Sequence, residues 1–181
     1  MILQVFSAMI LSTFESEIGK FAILAVFTPL IMDAGGNSGG QTTTMIVRSI
    51  SLDEFERKDI WKVLWKELRV ASIIGIIVAV FAFGWLMFEM SVGIVSTESI
   101  RELVGNPYAN MSLVALLVAS TLFVTMIISR LVGCMLPFLA KAIKLDPAVV
   151  CGPITTTTVD IISLITYFVL WTQVIGPTLG F

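Results

Sequence analysis

Two acidic residues lie inside long apolar stretches, where an ionised side chain is costly. Asp160 lies about 11 residues into the stretch Ala148–Gly176, roughly 17 Å from its start at 1.5 Å per residue. Asp33 lies about 13 residues into the stretch Ile18–Ile50, which predicts a position in its basic, cytoplasmic half. A charge at this depth costs about 2.5–3.5 kcal/mol on insertion scales. Because neither acid has a basic neighbour three or four residues away, each needs water, a cation or a partner on another helix.

The side chains around these acids offer oxygen ligands. Asn37 and Gln41 follow Asp33, and the run Thr155–Thr158 precedes Asp160. Carboxylate, amide and hydroxyl oxygens suit hard cations such as Mg²⁺, Ca²⁺ and Mn²⁺. Helical spacing places only one or two of the threonines on the same face as the acid. The candidate metal ligands are Asp160, Asp33, Asn37, Thr156 and Thr157.

A glycine-rich segment, Gly35–Gly40, follows Asp33 in the stretch Ile18–Ile50. Four glycines within six residues disfavour a helix by roughly 1 kcal/mol each relative to alanine. Discontinuous helices in transporters expose backbone carbonyls in this way. Pro153 removes a backbone donor one or two turns before Asp160 and would free a carbonyl about a turn earlier. The alternative is tight helix packing, since Gly35 with Gly39 and Gly36 with Gly40 form small-xxx-small pairs. The predicted pore-lining residues are Gly35, Gly36, Gly39, Gln41 and Pro153.

The composition indicates what must position these residues. Of the 181 residues, 57% are hydrophobic and 13% are charged, and the mean hydropathy is +0.99. Soluble domains carry about a quarter charged residues. So much apolar surface cannot be hidden in one small core, and much of it must face lipid. We predict an all-α polytopic membrane protein, with one transmembrane pore domain over residues 1–181.

Five stretches are candidate transmembrane helices, and the second is expected to be broken at its glycines. The first is short, about 20 Å for 13 residues, so we expect the native chain to begin before Met1. Residues 51–69 alternate acids and bases around apolar positions, which predicts an amphipathic helix on the membrane surface. The alternative for this segment is a solvated linker. The stretches are Ile2–Phe14, Ile18–Ile50, Val70–Val95, Met111–Leu139 and Ala148–Gly176.

Basic residues predict the orientation, because cytoplasmic loops are enriched in lysine and arginine. The opposite side holds only Lys20 and Arg101. We therefore expect a multi-pass protein of the inner (plasma) membrane, with a cytoplasmic N-terminus and an external C-terminus. The basic residues assigned to the cytoplasmic side are Arg48, Arg57, Lys58, Lys62, Lys66, Arg69, Arg130, Lys141 and Lys144.

The chain lacks the residues that are typical of several functional classes. The chain has no histidine, and it contains neither a nucleophile-elbow nor a phosphate-loop motif, so we predict that it is not an enzyme. Nothing indicates a nucleic-acid partner. Cys134 and Cys151 have no metal-ligand spacing and are interpreted as packing residues. A cation pathway, a secondary-active exchanger and a non-transporting membrane assembly subunit stay open, with an intramembrane aspartyl enzyme the weakest alternative.

Two segments resemble the MgtE-type magnesium transporters. Pro29–Gln41, read Pro-Leu-Ile-Met-Asp-Ala-Gly-Gly-Asn-Ser-Gly-Gly-Gln, resembles the signature of the second helix of that family. Asp146–Pro153, followed by Thr155–Asp160, resembles the fifth helix. The order and spacing match over essentially the whole chain.

The resemblance implies a homodimer of five-helix subunits with a Mg²⁺ pore lined by helices two and five. It implies that Asp160 is a principal magnesium site and that Gly36, Asn37, Gly39 and Gln41 belong to the helix-two signature. Mn²⁺ or another divalent ion would accept the same oxygen ligands. Asp33 departs from the pattern of the best-known bacterial members. The cytosolic acidic and paired CBS domains usual in those members are not among residues 1–181.

Overall fold

Five helices make up most of the chain in the computed structural model. The structure describes residues 4–15, 23–55, 57–93, 107–175 and 177. A 3₁₀ turn, Arg57–Asp59, precedes the third helix, and a π-helical turn, Trp171–Ile175, follows the fifth. The helices are α1 (Gln4–Thr13), α2 (Ile23–Ser51), α3 (Ile60–Val92), α4 (Pro107–Ala142) and α5 (Pro147–Leu170).

Local residue chemistry explains several helix ends. Asp146 caps α5 by accepting a hydrogen bond of 2.9 Å from the backbone N–H of Ala148. Pro147 then starts the helix, where its missing N–H costs nothing. Gly93 ends α3 with φ of 78°, a left-handed conformation that glycine adopts without strain. These signals set the C-terminal end of α3 and the N-terminal end of α5.

The predicted helical stretches are largely confirmed, and three of them qualify as membrane spans. Among the described residues, the helices Ile60–Val92, Met111–Ala142 and Pro147–Val174 are long and apolar enough to cross a bilayer. Asp33 and the polar, glycine-rich segment lower the hydropathy of α2. Helix α1 has 10 residues, so it is shorter than a span.

Helix α4 is the centre of the packing and contacts α2, α3 and α5. Helix α1 packs on α5, where the rings of Phe14 and Phe168 stack with centroids 4.5 Å apart. One apolar cluster joins the N-terminal half of α2 to the C-terminal ends of α3 and α5, through residues such as Ile31, Leu86 and Tyr167. A second joins the C-terminal end of α2 to the start of α3 and the end of α4. Consecutive helices from α2 to α5 therefore run antiparallel.

The predicted surface helix over residues 51–69 is wrong in its boundary. Ile60–Arg69 forms the first turns of α3, with no break before the apolar stretch that follows. At 1.5 Å per residue, the 33 residues of α3 rise about 50 Å, which exceeds the roughly 30 Å of a bilayer core. The amphipathic pattern thus marks where α3 leaves the hydrocarbon layer.

Arg130 was assigned from the sequence to the cytoplasmic side, near the turn between the fourth and fifth stretches. It lies inside α4, where its guanidinium donates to the Glu67 carboxylate of α3 at 3.2 Å. The side chain of Glu67 is 2% exposed and that of Arg130 is 12% exposed, so the pair is buried between the helices. Lys141 and Lys144 do lie at the predicted turn, whereas Lys20 and Arg101 lie outside the described residues.

Candidate cation-binding groove

An open groove runs along one face of α2, between α1 and α5. Its volume is about 1100 Å³. The α2 residues that line the floor of the groove are spaced four apart, because such residues lie on the same face of a helix. Leu11 of α1 and two residues of α5, Thr156 and Asp160, complete the lining. The α2 residues are Thr28, Pro29, Met32, Asp33, Gly36, Asn37, Gly40, Gln41, Thr44, Met45 and Arg48.

Both acids singled out in the sequence face this groove. Asp33 is exposed in the groove, and its carboxylate accepts a hydrogen bond of 3.0 Å from the Asn37 side-chain amide. Asp160 is partly buried, and its Oδ1 lies beside Gly36, 3.5 Å from the position a Cβ would take there. Two carboxylates and the amides of Asn37 and Gln41 therefore line one cavity.

The predicted level of Asp33 is wrong. Asp160 lies level with Gly36, and Asp33 lies one turn closer to the N-terminal end of α2. Since α2 ends at the basic side of the protein, Asp33 is about 4–5 Å farther than Asp160 from that side. The sequence-based position depended on the start of the stretch at Ile18, which lies outside the described residues.

The expected break in α2 is absent from the described helix, which is continuous from Ile23 to Ser51. Two of its glycines serve close packing instead. A Cβ on Gly35 would lie 2.6 Å from Thr125 Cγ2 and 2.8 Å from Val159 Cγ1. A Cβ on Gly39 would lie 3.1 Å from both the Ser129 carbonyl and Thr155 Cγ2. Contacts with α4 and α5 compensate for the low helix propensity of glycine, as small residues do in membrane helices.

Small residues on all three helices form the contact, which we name the small-residue seam. A Cβ on Gly133 of α4 would lie 2.4 Å from the Gly39 carbonyl. The Thr43 hydroxyl lies 3.1 Å from the Gly133 carbonyl, to which it donates, and 2.9 Å from the Thr155 hydroxyl. The seam comprises Gly35, Gly39 and Thr43 of α2, Thr125, Ser129 and Gly133 of α4, and Thr155, Val159 and Ser163 of α5.

The predicted ligands of α5 separate in the structure. Thr156 lines the groove one turn before Asp160, whereas Thr157 does not line it. Both hydroxyls donate to the Pro153 carbonyl, at 3.1 Å and 3.0 Å. Pro153 is exposed but lies outside the groove lining. The threonine hydroxyls thus engage the carbonyl of Pro153 itself, whereas the carbonyl that loses its helical donor at a proline is the one four residues earlier, at Val149.

The predicted pore-lining set divides in the same way. Gly36 and Gln41 line the groove with Asn37, whereas Gly35 and Gly39 are buried in the seam. Sequence reasoning missed Thr28, Met32, Thr44 and Arg48 as lining residues. Their spacing of four, in register with Gly36 and Gly40, was the signal that could have found them.

The described lining has two acids and one base. The base, Arg48, lies 12 residues beyond Gly36 along α2, a rise of about 18 Å. No described group of three or more acidic, histidine or cysteine side chains gathers at one point. Within the described chain, the part of the groove beside Asp160 therefore carries acidic and other oxygen-bearing side chains. A single copy of the chain offers a metal ion few ligands there.

Comparison with known proteins places the chain in a family. The family model MgtE, described as a divalent cation transporter, matches residues 28–170. The chain is 31% identical over 166 residues to the magnesium transporter MgtE of Bacillus subtilis, covering 90% of this chain and 32% of the relative. It is 28% identical over 158 residues to the protein of that name from Thermus thermophilus, covering 87% and 31%.

A third relative, the magnesium transporter MgtE of Enterococcus faecalis, is 25% identical over 162 residues, covering 90% of this chain and 32% of the relative. The chain thus spans about a third of the length of the curated relatives it matches. The matched region includes α5 and almost all of α2, the two helices that carry the acidic side chains of the groove. This chain is therefore a member of the MgtE family of divalent cation transporters.

Proposed function

We propose that the α2–α5 groove is one wall of a Mg²⁺ pathway, which a second copy of the chain completes. The main observation in support of this proposal is that Asp33 and Asp160 face one cavity. In this proposal all five helices form the membrane domain, with α2 and α1 inserted beside the three apolar spans. The relatives are named as magnesium transporters, which supports Mg²⁺ as the transported ion.

The energetics of burial favour a cation in the groove. An ionised carboxylate at membrane depth costs several kcal/mol unless water, a partner or an ion compensates it. The Asn37 amide offsets part of this cost for Asp33. No described hydrogen bond or ion pair engages the Asp160 carboxylate. A passing cation would provide that compensation.

An open groove suits a symmetric partner. In a two-fold dimer, each α2–α5 face would contact its own copy, and the two Asp160 carboxylates would approach each other. Like charges at close range in a medium of low dielectric repel strongly, and a divalent cation between them relieves that repulsion. The second copy also doubles the number of oxygen ligands.

The ligands fit a cation that keeps much of its water. Mg²⁺ dehydrates reluctantly and is usually bound by one or two carboxylates together with several waters. Asn37, Gln41 and Thr156 would contact those waters rather than replace them all. With the basic helix ends in the cytoplasm of a plasma-membrane protein, the membrane potential would draw the ion inward with about 4.6 kcal/mol per 100 mV, twice the value for a unit charge.

The test is Mg²⁺ uptake into liposomes that contain the Asp160→Asn variant and a magnesium-sensitive dye. Loss of a charged ligand, worth about 1.5–3 kcal/mol, should lower uptake by roughly 10- to 150-fold. Asp53→Asn is the matched control, because Asp53 is exposed in a turn outside the groove, with φ of 54°, which asparagine also tolerates. Equal uptake by Asp160→Asn and Asp53→Asn would refute the site, and uptake that requires a counter-ion gradient would favour an exchanger.

Cysteine cross-linking tests the second copy. Cys134 and Cys151 are buried, so an introduced exposed cysteine dominates the reaction. Gln41→Cys in the groove should form a disulfide-linked dimer under mild oxidation. Ile77→Cys, at an exposed position of α3 outside the groove, should not. Cross-linking only through Ile77→Cys would contradict the dimer interface proposed here.

A further inference from the structure

Three exposed tryptophans of α3 indicate where the helix meets the two membrane surfaces. Trp61, Trp65 and Trp85 are 78%, 60% and 51% exposed. The 20 residues from Trp65 to Trp85 rise about 30 Å, which equals the thickness of the hydrocarbon layer. Tryptophan is enriched at both membrane–water interfaces. Trp65 and Trp85 therefore lie at opposite interfaces, and Trp61 lies at the headgroup level.

The surface between these levels is suited to lipid chains. Large apolar side chains along it are more than half exposed, and α3 carries no basic residue after Arg69. The apolar residues of this band are Ile73, Ile76, Ile77, Val80 and Phe81. This face of α3 is therefore suited to contact with lipid along its whole length.

A shallow apolar groove lies between α3 and α4 at the level of Trp61 and Trp65. Its volume is about 290 Å³, and its lining is almost entirely hydrocarbon. Leu68 and Leu131 lie at its deeper side, toward the exposed apolar band. The lining residues are Trp61, Leu64, Trp65, Leu68, Leu131 and Met135. The part of one acyl chain next to the glycerol matches the apolar lining at the deeper end of this groove.

Basic side chains flank the tryptophans on the neighbouring face of α3. Lys66 and Arg69 are exposed, and neither forms an ion pair within the described part of the chain. Arg69 lies one turn beyond Trp65, on the same side of the helix. Lys62, whose side chain is 86% exposed, contacts Asp59 at 3.6 Å. Lysine and arginine stems can lie along the apolar surface while their charges reach the headgroup level.

We infer that the groove beside Trp61 and Trp65 binds an anionic phospholipid. One acyl chain lies against Leu68 and Leu131, and the phosphate lies near Lys66 and Arg69. The negative headgroup complements Lys66 and Arg69, because each lysine or arginine near an anionic surface contributes about 1 kcal/mol of attraction. Lys62 is left out of this contact because it pairs with Asp59. The opposite end of α3, around Trp85, has the aromatic residue but no basic neighbour on that helix, so it has no such preference.

Tryptophan quenching by brominated lipids tests this inference. Trp85→Phe leaves Trp61 and Trp65 as the exposed reporters, whereas Trp61→Phe with Trp65→Phe leaves Trp85. Trp171, which is buried, contributes the same background to both proteins. In phosphatidylcholine liposomes, brominated phosphatidylglycerol should quench Trp61 and Trp65 at lower mole fraction than brominated phosphatidylcholine. Trp85 should respond equally to both lipids.

A charge variant completes the test. Lys66→Gln with Arg69→Gln should raise the phosphatidylglycerol fraction for half quenching by on the order of tenfold or more. The estimate is about fivefold per charge, from the ~1 kcal/mol that each contributes near an anionic surface. Lys141→Gln with Lys144→Gln changes the net charge equally at an exposed turn and should leave the preference intact. Equal quenching by both lipids, no quenching by either, or an equal loss in the control pair would overturn the inference.

Discussion

Gly133→Ala should separate α4 from α2 at the point where the two backbones are closest. An alanine Cβ at this position would lie 2.4 Å from the Gly39 carbonyl and 3.0 Å from the Thr43 hydroxyl. The first contact is with backbone, so no side-chain rotation relieves it. Insertion of atoms into a packed interface costs about 1–3 kcal/mol, and loss of the Thr43 hydrogen bond adds about 1 kcal/mol.

The gain in helix propensity opposes this cost. Alanine favours a helix over glycine by about 1 kcal/mol. The net loss in free energy of unfolding should therefore be about 1–3 kcal/mol for Gly133→Ala. Gly40→Ala and Gly84→Ala have no heavy atom within 4 Å of the new Cβ, so they should be neutral or more stable by up to about 1 kcal/mol.

Equilibrium unfolding in mixed detergent and SDS micelles, followed by far-UV circular dichroism, measures these differences. The comparison of Gly133→Ala with Gly40→Ala removes the propensity term, since both sites are helical. A difference of about 2–4 kcal/mol between them is expected from the packing and hydrogen-bond terms. If the two variants unfold at the same SDS fraction, the close approach of α2 and α4 is wrong.

Two further changes test the buried ion pair and the groove. Glu67→Ala should lower the free energy of unfolding by about 3–5 kcal/mol, because it leaves the Arg130 guanidinium buried without its carboxylate. Addition of Arg130→Met should restore most of the loss in the same SDS titration, and failure to do so would argue against a paired charge. Gly36→Leu should place a branched side chain against Asp160 and lower Mg²⁺ uptake by on the order of tenfold or more, with unfolding unchanged. Gly84→Leu, outside the groove on α3, is the control and should transport normally.

The helices and their apolar faces could be predicted from the sequence because they depend on local patterns. Hydropathy located α3, α4 and α5, whereas the capping of α5 by Asp146 was found only in the structure. The glycine-rich segment could not be interpreted in this way. A helix break and a small-residue contact require the same residues, and the choice depends on whether Gly133 and Thr125 come close from another helix.

The site was partly predictable for a related reason. Asp33 and Asp160 stood out because an acid in an apolar stretch is rare, and both do face the groove. The Glu67–Arg130 pair was missed because Glu67 lies among other charges in sequence and Arg130 was counted only as a basic residue of the cytoplasmic side. Only the packing of α3 on α4 shows that the two meet. The level of Asp33 was misjudged because a helix register relative to its neighbours is a tertiary property.

Beyond Pro29, the continuous hydrogen bonding of α2 affects how the groove can change in evolution. In a continuous helix the carbonyl oxygens of the groove floor are already hydrogen-bonded, so an ion in the proposed pathway would meet side chains and their waters. A cage of backbone carbonyls can be altered only by rebuilding the chain path. A row of side chains on a rigid helix can be altered one residue at a time, at Asp33, Asn37 or Gln41, without loss of the seam behind it. Affinity and ion preference can therefore diverge among relatives while the fold is retained.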